Sequence, residues 1–176
     1  NGENNSSNSK IEVMLVAIYK DIINSYQEIV SAVGLETTFF EIEIFSTARS
    51  VLQRGIRPVL IFDFGVSDTK IYIVEHGVAR VSHIVNRGSQ SITTAISKST
   101  GISFEEAEEI KKTVGIVGID GNSSAGASAV IDQIFSEVAQ MIRSYQSKYN
   151  RTISEIILAG GGSLLKGFHQ MASDRF

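Results

Sequence analysis

Apolar and polar positions along this 176-residue chain change period from segment to segment. Residues 1–10 (NGENNSSNSK) are polar and Asn/Ser-rich, which predicts a flexible loop or tail. Ile11–Tyr19 is a β-branched apolar run and predicts a strand. Asp21 is expected to cap a helix whose face carries Ile22, Ile23, Tyr26, Ile29, Val30 and Val33, and which Gly34 stops. Thr37–Phe45 predicts a returning strand, and Ser46 is expected to open a short helix through Ala48, Val51 and Leu52. Gly55 and the single proline, Pro58, then mark a break.

Beyond the break, Val59–Phe62 is a continuous apolar run, the pattern of a central strand covered on both faces. Lys70–Val74 and Val78–Val85 predict two more strands, joined through Glu75-His76-Gly77 as a tight hairpin with Gly77 at positive φ. Ser89–Ser99 predicts a helix with Ile92, Ala95 and Ile96 on one face. Ser103 and Glu106 have capping-box spacing, opening a helix through Phe104, Ala107 and Ile110. Gly115–Gly126 is Gly/Ser-rich and reads as a loop. Val130, Ile131, Ile134, Phe135, Val138, Met141, Ile142 and Tyr145 define the longest amphipathic helix. Glu155–Ala159 predicts a strand, Gly160-Gly161-Gly162 a turn, and Ser163 onward a helix. Strands alternating with helices, plus one hairpin, predict an α/β fold with a mixed sheet flanked by helices. A domain boundary is expected near Gly55.

Composition narrows the classes. With 43% hydrophobic residues the chain can bury a core. It has no cysteine, so disulfide scaffolds and thiol chemistry are excluded. A net charge of −3 argues against nucleic-acid binding. No apolar run approaches the roughly 18 residues that span a bilayer, so direct membrane insertion is not expected. The polar start carries no signal-peptide pattern. Asn1 stands where a methionine would begin a gene product, so a piece of a longer protein is expected. The Asn-x-Ser/Thr sequons at Asn4, Asn5, Asn122 and Asn150 read as chance in an Asn/Ser-rich chain.

Three places could carry chemistry. Asp63-Phe64-Gly65-Val66-Ser67-Asp68-Thr69 ends the buried run with an acid, a glycine turn and hydroxyls. Backbone N–H groups and the hydroxyls of Ser67 and Thr69 could cradle phosphate at Gly65, and Asp63 could hold a hydrated magnesium ion. Asp-Phe-Gly also occurs in protein kinases, but the His-Arg-Asp loop those need is missing. Gly160-Gly161-Gly162-Ser163 would let a flat ligand lie against backbone, although Leu165 breaks the dinucleotide fingerprint. Glu108 and Lys111, three apart on a helix, could meet a ribose hydroxyl and a base, or could form an ordinary solvated face. His76, His83 and His169 have no metal-ligand spacing.

In this order the segments resemble the actin-like ATPase superfamily, in particular its FtsA and PilM branch. Asp63-Phe64-Gly65-x-x-x-Thr69 resembles the second phosphate motif. Arg87-Gly88-Ser89-Gln90-Ser91-Ile92-Thr93 resembles the "GG-x-x-IT" helix start, with Arg87 in place of a glycine. Ala107-Glu108-x-x-Lys111 is similar to the A-E-x-x-K element, and Gly160-Gly161-Gly162-Ser163 with Gly167 to the adenosine motif. Glu43–Arg49 (EIFSTAR) resembles the connecting segment of PilM-type proteins.

The resemblance implies a truncated actin-like (ribonuclease H-like) fold. Residues 11–54 would be the C-terminal part of a first domain and 55–176 a second, nucleotide-binding domain cut at its C-terminus. It implies ATP and Mg2+ as ligands. Asp63, Gly65, Ser67 and Thr69 would take phosphate and metal; Glu108, Lys111, Gly160, Gly161, Gly162 and Ser163 would take adenosine. The implied role is a cytoplasmic scaffold, at most a slow ATPase, peripheral to the inner membrane in type IV pilus assembly or a related secretion machine. The implied partner is the cytoplasmic tail of a membrane-anchored pilus or secretion protein, and self-association is also implied. An FtsA-like division protein and a small-molecule kinase of the same superfamily are the alternatives.

Overall fold

The computed structural model describes residues 13–52, 56–116 and 122–176, without the side chains of 122–124. The expected tail at 1–10, the boundary at Gly55 and part of the Gly115–Gly126 segment lie outside the described residues. The chain divides into two compact units, 1–41 and 42–176.

In the first unit, α1 spans Lys20–Ala32. It ends in a Schellman motif: Gly34 takes φ +72°, its N–H bonds to the Ser31 carbonyl at 3.0 Å, and Leu35 N–H bonds to the Val30 carbonyl at 3.0 Å. Tyr19, in extended conformation, precedes the helix, so Asp21 lies within the first turn instead of capping it. The strand expected over Ile11–Tyr19 is not formed at Val13–Tyr19, where Val13 and Leu15 stand in solvent. Thr37–Ile42 likewise forms no strand. A strand exists only by pairing, and the described residues of this unit offer no ladder to join.

The second unit begins with α2 (Glu43–Val51), three residues earlier than Ser46. Ser46 Oγ donates instead to the Glu43 carbonyl at 2.9 Å. Four strands follow as a sheet: β1 (Val59–Phe64), β2 (Thr69–Glu75), β3 (Val78–Val85) and β4 (Glu155–Ala159), in spatial order β3-β2-β1-β4. β1 pairs antiparallel with β2 and parallel with β4, so the sheet is mixed as expected. His76 and Gly77 make the β2–β3 turn with φ of 54° and 74°, the double positive φ that a two-residue primed turn requires.

The pleat divides the sheet's side chains between two layers. Leu60, Phe62, Phe64, Ile71 and Ile73 point into a core shared with four helices: α3 (Ser89–Thr100), α4 (Phe104–Val114), α5 (Asn122–Tyr149) and α6 (Phe168–Arg175). Ile61, Tyr72 and Val74 point the other way, against Ile44, Ala48, Val51 and Leu52 of the α2 segment. The capping box at Ser103 and Glu106 forms on both sides. Two boundaries differ from the pattern. The loop read through Gly126 gives way to α5 at Asn122, and Gly126 lies within that helix beside α3, where a Cβ would make an ordinary 3.5 Å contact with Ala95. After β4 the chain makes a 3-10 turn over Gly161–Leu164, and Gly167, at φ +87°, delays α6 to Phe168.

The core centres on four aromatic rings. Phe168 stacks on Phe64 at 4.8 Å between centroids and lies 5.6 Å from Phe62 and 5.7 Å from Phe135. All four side chains are buried. Phe168→Ala should therefore cost about 3–5 kcal/mol of unfolding free energy, read as a lowered urea midpoint. A loss under about 1 kcal/mol would show that this cluster does not hold α6 to the sheet.

Candidate functional site

The carboxyl ends of parallel strands in an α/β sheet are where ligands bind. Here β1 and β4 run parallel, and Asp63 pairs in register with Ala159. The two turns singled out in the sequence thus leave the sheet side by side. Gly160 makes the contact: at φ +78°, a Cβ there would overlap Asp63 Oδ1 and lie 2.6 Å from the Phe64 carbonyl. Gly162 is equally constrained, because its Cβ would meet the Phe64 ring at 2.5 Å. Gly161 differs. Nothing lies within 4 Å of its Cβ position, so its backbone faces open space. Ser163 Oγ donates to the Gly160 carbonyl at 2.7 Å and fastens the turn to itself.

The turn after β1 is closed by Gly65 N–H, which bonds to the Asp68 carbonyl at 3.0 Å. Ser67 stays exposed, its hydroxyl 3.4 Å from Asp68 Oδ2. Thr69 is fully buried and donates to the Arg87 carbonyl at 2.7 Å, so its hydroxyl ties the turn to the end of β3. The start of α3 then docks on the same turn: Ser89 N–H bonds to the Gly65 carbonyl at 2.9 Å and Gln90 N–H to the Val66 carbonyl at 3.0 Å. This approach demands Gly88, where a Cβ would overlap the Val66 carbonyl.

The electrostatics are acidic. Burial, followed by the Glu43 charge, raises the Asp63 pKa above its ordinary value; Lys70 opposes this and Asp68 adds to it. Lys70 bonds to Glu43 at 2.6 Å, which raises its own pKa, and lies 4.0 Å from Asp68. One lysine thus sits among three carboxylates. Among the described residues no group of three or more His, Asp, Glu or Cys is arranged to hold a metal. A single carboxylate such as Asp63 suits magnesium, which keeps most of its waters and takes its other ligands from phosphate.

Glu108 and Lys111 face α3. Lys111 is 4% exposed and bonds to Glu108 Oε2 at 2.7 Å, Thr93 Oγ1 at 2.9 Å and the Ser89 carbonyl at 3.2 Å. Thr93 donates to Glu108 Oε2 at 2.6 Å. Burial works against the Glu108 charge, but hydrogen bonds from Lys111 and Thr93, with the charges of Lys111 and Lys112, hold its carboxyl below the usual value. Glu108 remains partly open to solvent. The end of α4 is tied to the chain after the glycine turn by Ile116 N–H to the Lys166 carbonyl at 3.0 Å and Lys166 Nζ to the Thr113 carbonyl at 2.5 Å.

Thus Asp63, Gly65, Ser67, Thr69 and Gly160–Gly162 meet at one end of the sheet, and Glu108 and Lys111 are linked to that end through Ser89. Sequence reasoning placed Gly88 and Thr93 only within the resemblance to the family's helix start and Glu43 only within the connecting segment, and named none of them, nor Lys70, as a site residue. Thr93 had a signal: it is a polar residue between Ile92 and Ile96 in an otherwise apolar stripe.

A mixed sheet with helices on both faces and glycine turns at one end is the architecture of the actin-like ATPases. The PilM-PilN type IV pilus biogenesis complex aligns with a TM-score of 0.74 at 18% identity, over 89% of this chain and 45% of that one. MreB 5 of Spiroplasma citri bound to AMPPNP aligns at 0.65 and 17%, over 90% and 58%. EutJ, the ethanolamine utilization protein of Carboxydothermus hydrogenoformans, aligns at 0.62 and 24%, over 84% and 51%. At these identities the likeness is one of fold.

Residues 2–176 match the family described as type IV pilus assembly protein PilM, and the chain belongs to that family. It is also 23% identical over 188 aligned positions to the cell division protein FtsA of Bacillus subtilis (strain 168), covering 94% of this chain and 43% of FtsA. The chain therefore spans less than half the length of that curated relative. Among the described residues no helix is long and apolar enough to cross a membrane.

Two outcomes follow from this geometry. Gly160→Ala should cost more than the roughly 1–2 kcal/mol of a left-handed backbone alone, because it also meets Asp63 and Phe64, whereas Gly161→Ala should stay within about 0.5 kcal/mol of wild type. Urea unfolding of both variants separates them. For Asp63, a folded pKa above the unfolded value means that ionisation costs stability. The cost is absent below the unfolded pKa and complete above the folded one. Asp63→Asn should therefore raise the urea midpoint at pH 7, and the gain should shrink as pH falls toward 3.8. An unchanged or lowered midpoint at pH 7 would contradict this.

Proposed function

We propose that this chain is part of a PilM-like, ATP-binding scaffold of type IV pilus assembly or a related secretion machine. Family membership supports the setting. The observation that carries the nucleotide reading is the pair of turns at the ends of β1 and β4, where Gly161 presents bare backbone to open space beside Asp63. In this reading adenosine lies along Gly160–Gly162 with Ser163 bracing the turn, and Glu108 accepts from a ribose hydroxyl. Ser67 presents its hydroxyl to phosphate at the turn that Gly65 closes, Thr69 holds that turn from beneath, and Asp63 holds magnesium through water. The metal, when bound, offsets phosphate charge beside an already acidic edge.

Residues 11–54 belong, in this proposal, to the C-terminal part of a first domain, and 55–176 to the second. The first domain takes the cytoplasmic tail of an inner-membrane partner, which keeps the protein cytoplasmic and peripheral to that membrane. The likeness in fold to the PilM-PilN type IV pilus biogenesis complex supports a partner of this kind. Nucleotide acts as a conformational ligand through its different affinity for open and closed clefts. The FtsA match supports a second reading, a self-associating division protein with the same nucleotide site.

Calorimetry on the full-length protein tests the site. Asp63→Ala should abolish magnesium-dependent ATP binding, and Gly161→Val should weaken adenine-nucleotide binding at least about tenfold by blocking the open backbone, while both remain folded by circular dichroism. Wild-type affinity in both variants would remove this site from consideration.

A further inference from the structure

We infer that Thr93 is a positioning residue that sets the ribose selectivity of this site by fixing Glu108, with Lys111 as its counter-ion. The inference rests on the nucleotide reading above. It begins with an accounting of protons. An ammonium has three donors and no acceptor. Lys111 directs them to Glu108 Oε2, Thr93 Oγ1 and the Ser89 carbonyl, at 2.7, 2.9 and 3.2 Å. With 4% exposure and every proton engaged, it has no donor left for a base or a phosphate.

Thr93 is fully buried on α3. Its hydroxyl accepts from Lys111 and donates to Glu108 Oε2 at 2.6 Å. Both hydrogen bonds therefore fall on one carboxylate oxygen, Oε2. The other, Oε1, has Lys112 Nζ 3.8 Å away, beyond hydrogen-bond distance, and Glu108 is partly exposed. Such a carboxylate is locked at one oxygen and presents the other to solvent in a fixed direction. A fixed acceptor can distinguish a ligand that offers a hydroxyl from one that lacks it, because the analogue leaves a directed polar group unmatched.

The same network reaches the phosphate side. Ser89, whose carbonyl receives Lys111, donates its N–H to the Gly65 carbonyl at 2.9 Å. Glu108 and the turn after β1 are therefore held by one chain of hydrogen bonds, Gly65–Ser89–Lys111–Glu108, with Thr93 bracing its far end.

The test compares ATP with 2′-deoxy-ATP and 3′-deoxy-ATP by calorimetry on the full-length protein. Wild type should prefer ATP over at least one analogue. Thr93→Val removes the hydroxyl at nearly constant volume and should reduce that preference about tenfold, the worth of one hydrogen bond to a charged group. Thr93→Ser should keep it. A general loss of stability would weaken all three nucleotides alike and leave the ratio unchanged. If Thr93→Val does not fold, Thr93→Ala carries the same expectation. Equal ratios in wild type and Thr93→Val, or no preference in wild type, overturn the inference while the nucleotide site stands. Failure of the wild-type protein to bind ATP at all would instead remove the reading beneath it.

Discussion

Everything in the larger unit depends on β1 being covered on both faces and paired on both edges. Its pleat sends Leu60, Phe62 and Phe64 into the four-helix layer and Ile61 toward α2. Its edges differ in kind, antiparallel to β2 and parallel to β4. Parallel pairing brings the end of β4 level with Asp63 and forces the following turn across Phe64. Gly160 and Gly162 are the answer to that crossing, since any side chain at either position would collide with β1. The geometry that suits a ligand is thus first a solution to a packing problem.

Polar groups around this end of the sheet fall into two classes. Some are fully matched and hold structure: Thr69 on the Arg87 carbonyl, Ser163 on Gly160, and Lys111 with its three acceptors. A buried ammonium so satisfied is costly to disturb, because removing one partner leaves the charge uncompensated. Others remain unbalanced, as Asp63 does beside Glu43 and Asp68 with Lys70 alone to offset them. Charge repulsion kept at one place in an otherwise matched surround is a known mark of sites where activity and stability pull apart.

Much of the larger unit was legible because its signals are local. The Val59–Phe62 run, the His76-Gly77 turn and the Ser103/Glu106 capping box each specify their element within a few residues. The misread segments depend on partners. Val13–Tyr19 and Thr37–Phe45 have strand-like composition, yet a strand is defined by the neighbour it pairs with, and composition does not supply one. Gly126 and its small neighbours resemble a loop by composition, yet they lie in α5, beside α3. In the site, the acid and the glycines were visible as motifs. Thr93 was visible only as part of the helix-start motif; its link to Glu108 and Lys111 arises from α3 and α4 lying side by side, which no spacing along one helix reveals.

The three consecutive glycines are alike in the sequence and unlike in what constrains them. Gly160 and Gly162 answer to the chain itself, and Gly161 answers to nothing in it. Over evolutionary time the outer two would persist in any lineage that keeps the fold. The middle one would persist only under selection from outside the chain, so a lineage that abandoned its ligand would reveal the fact first by drift at this single position.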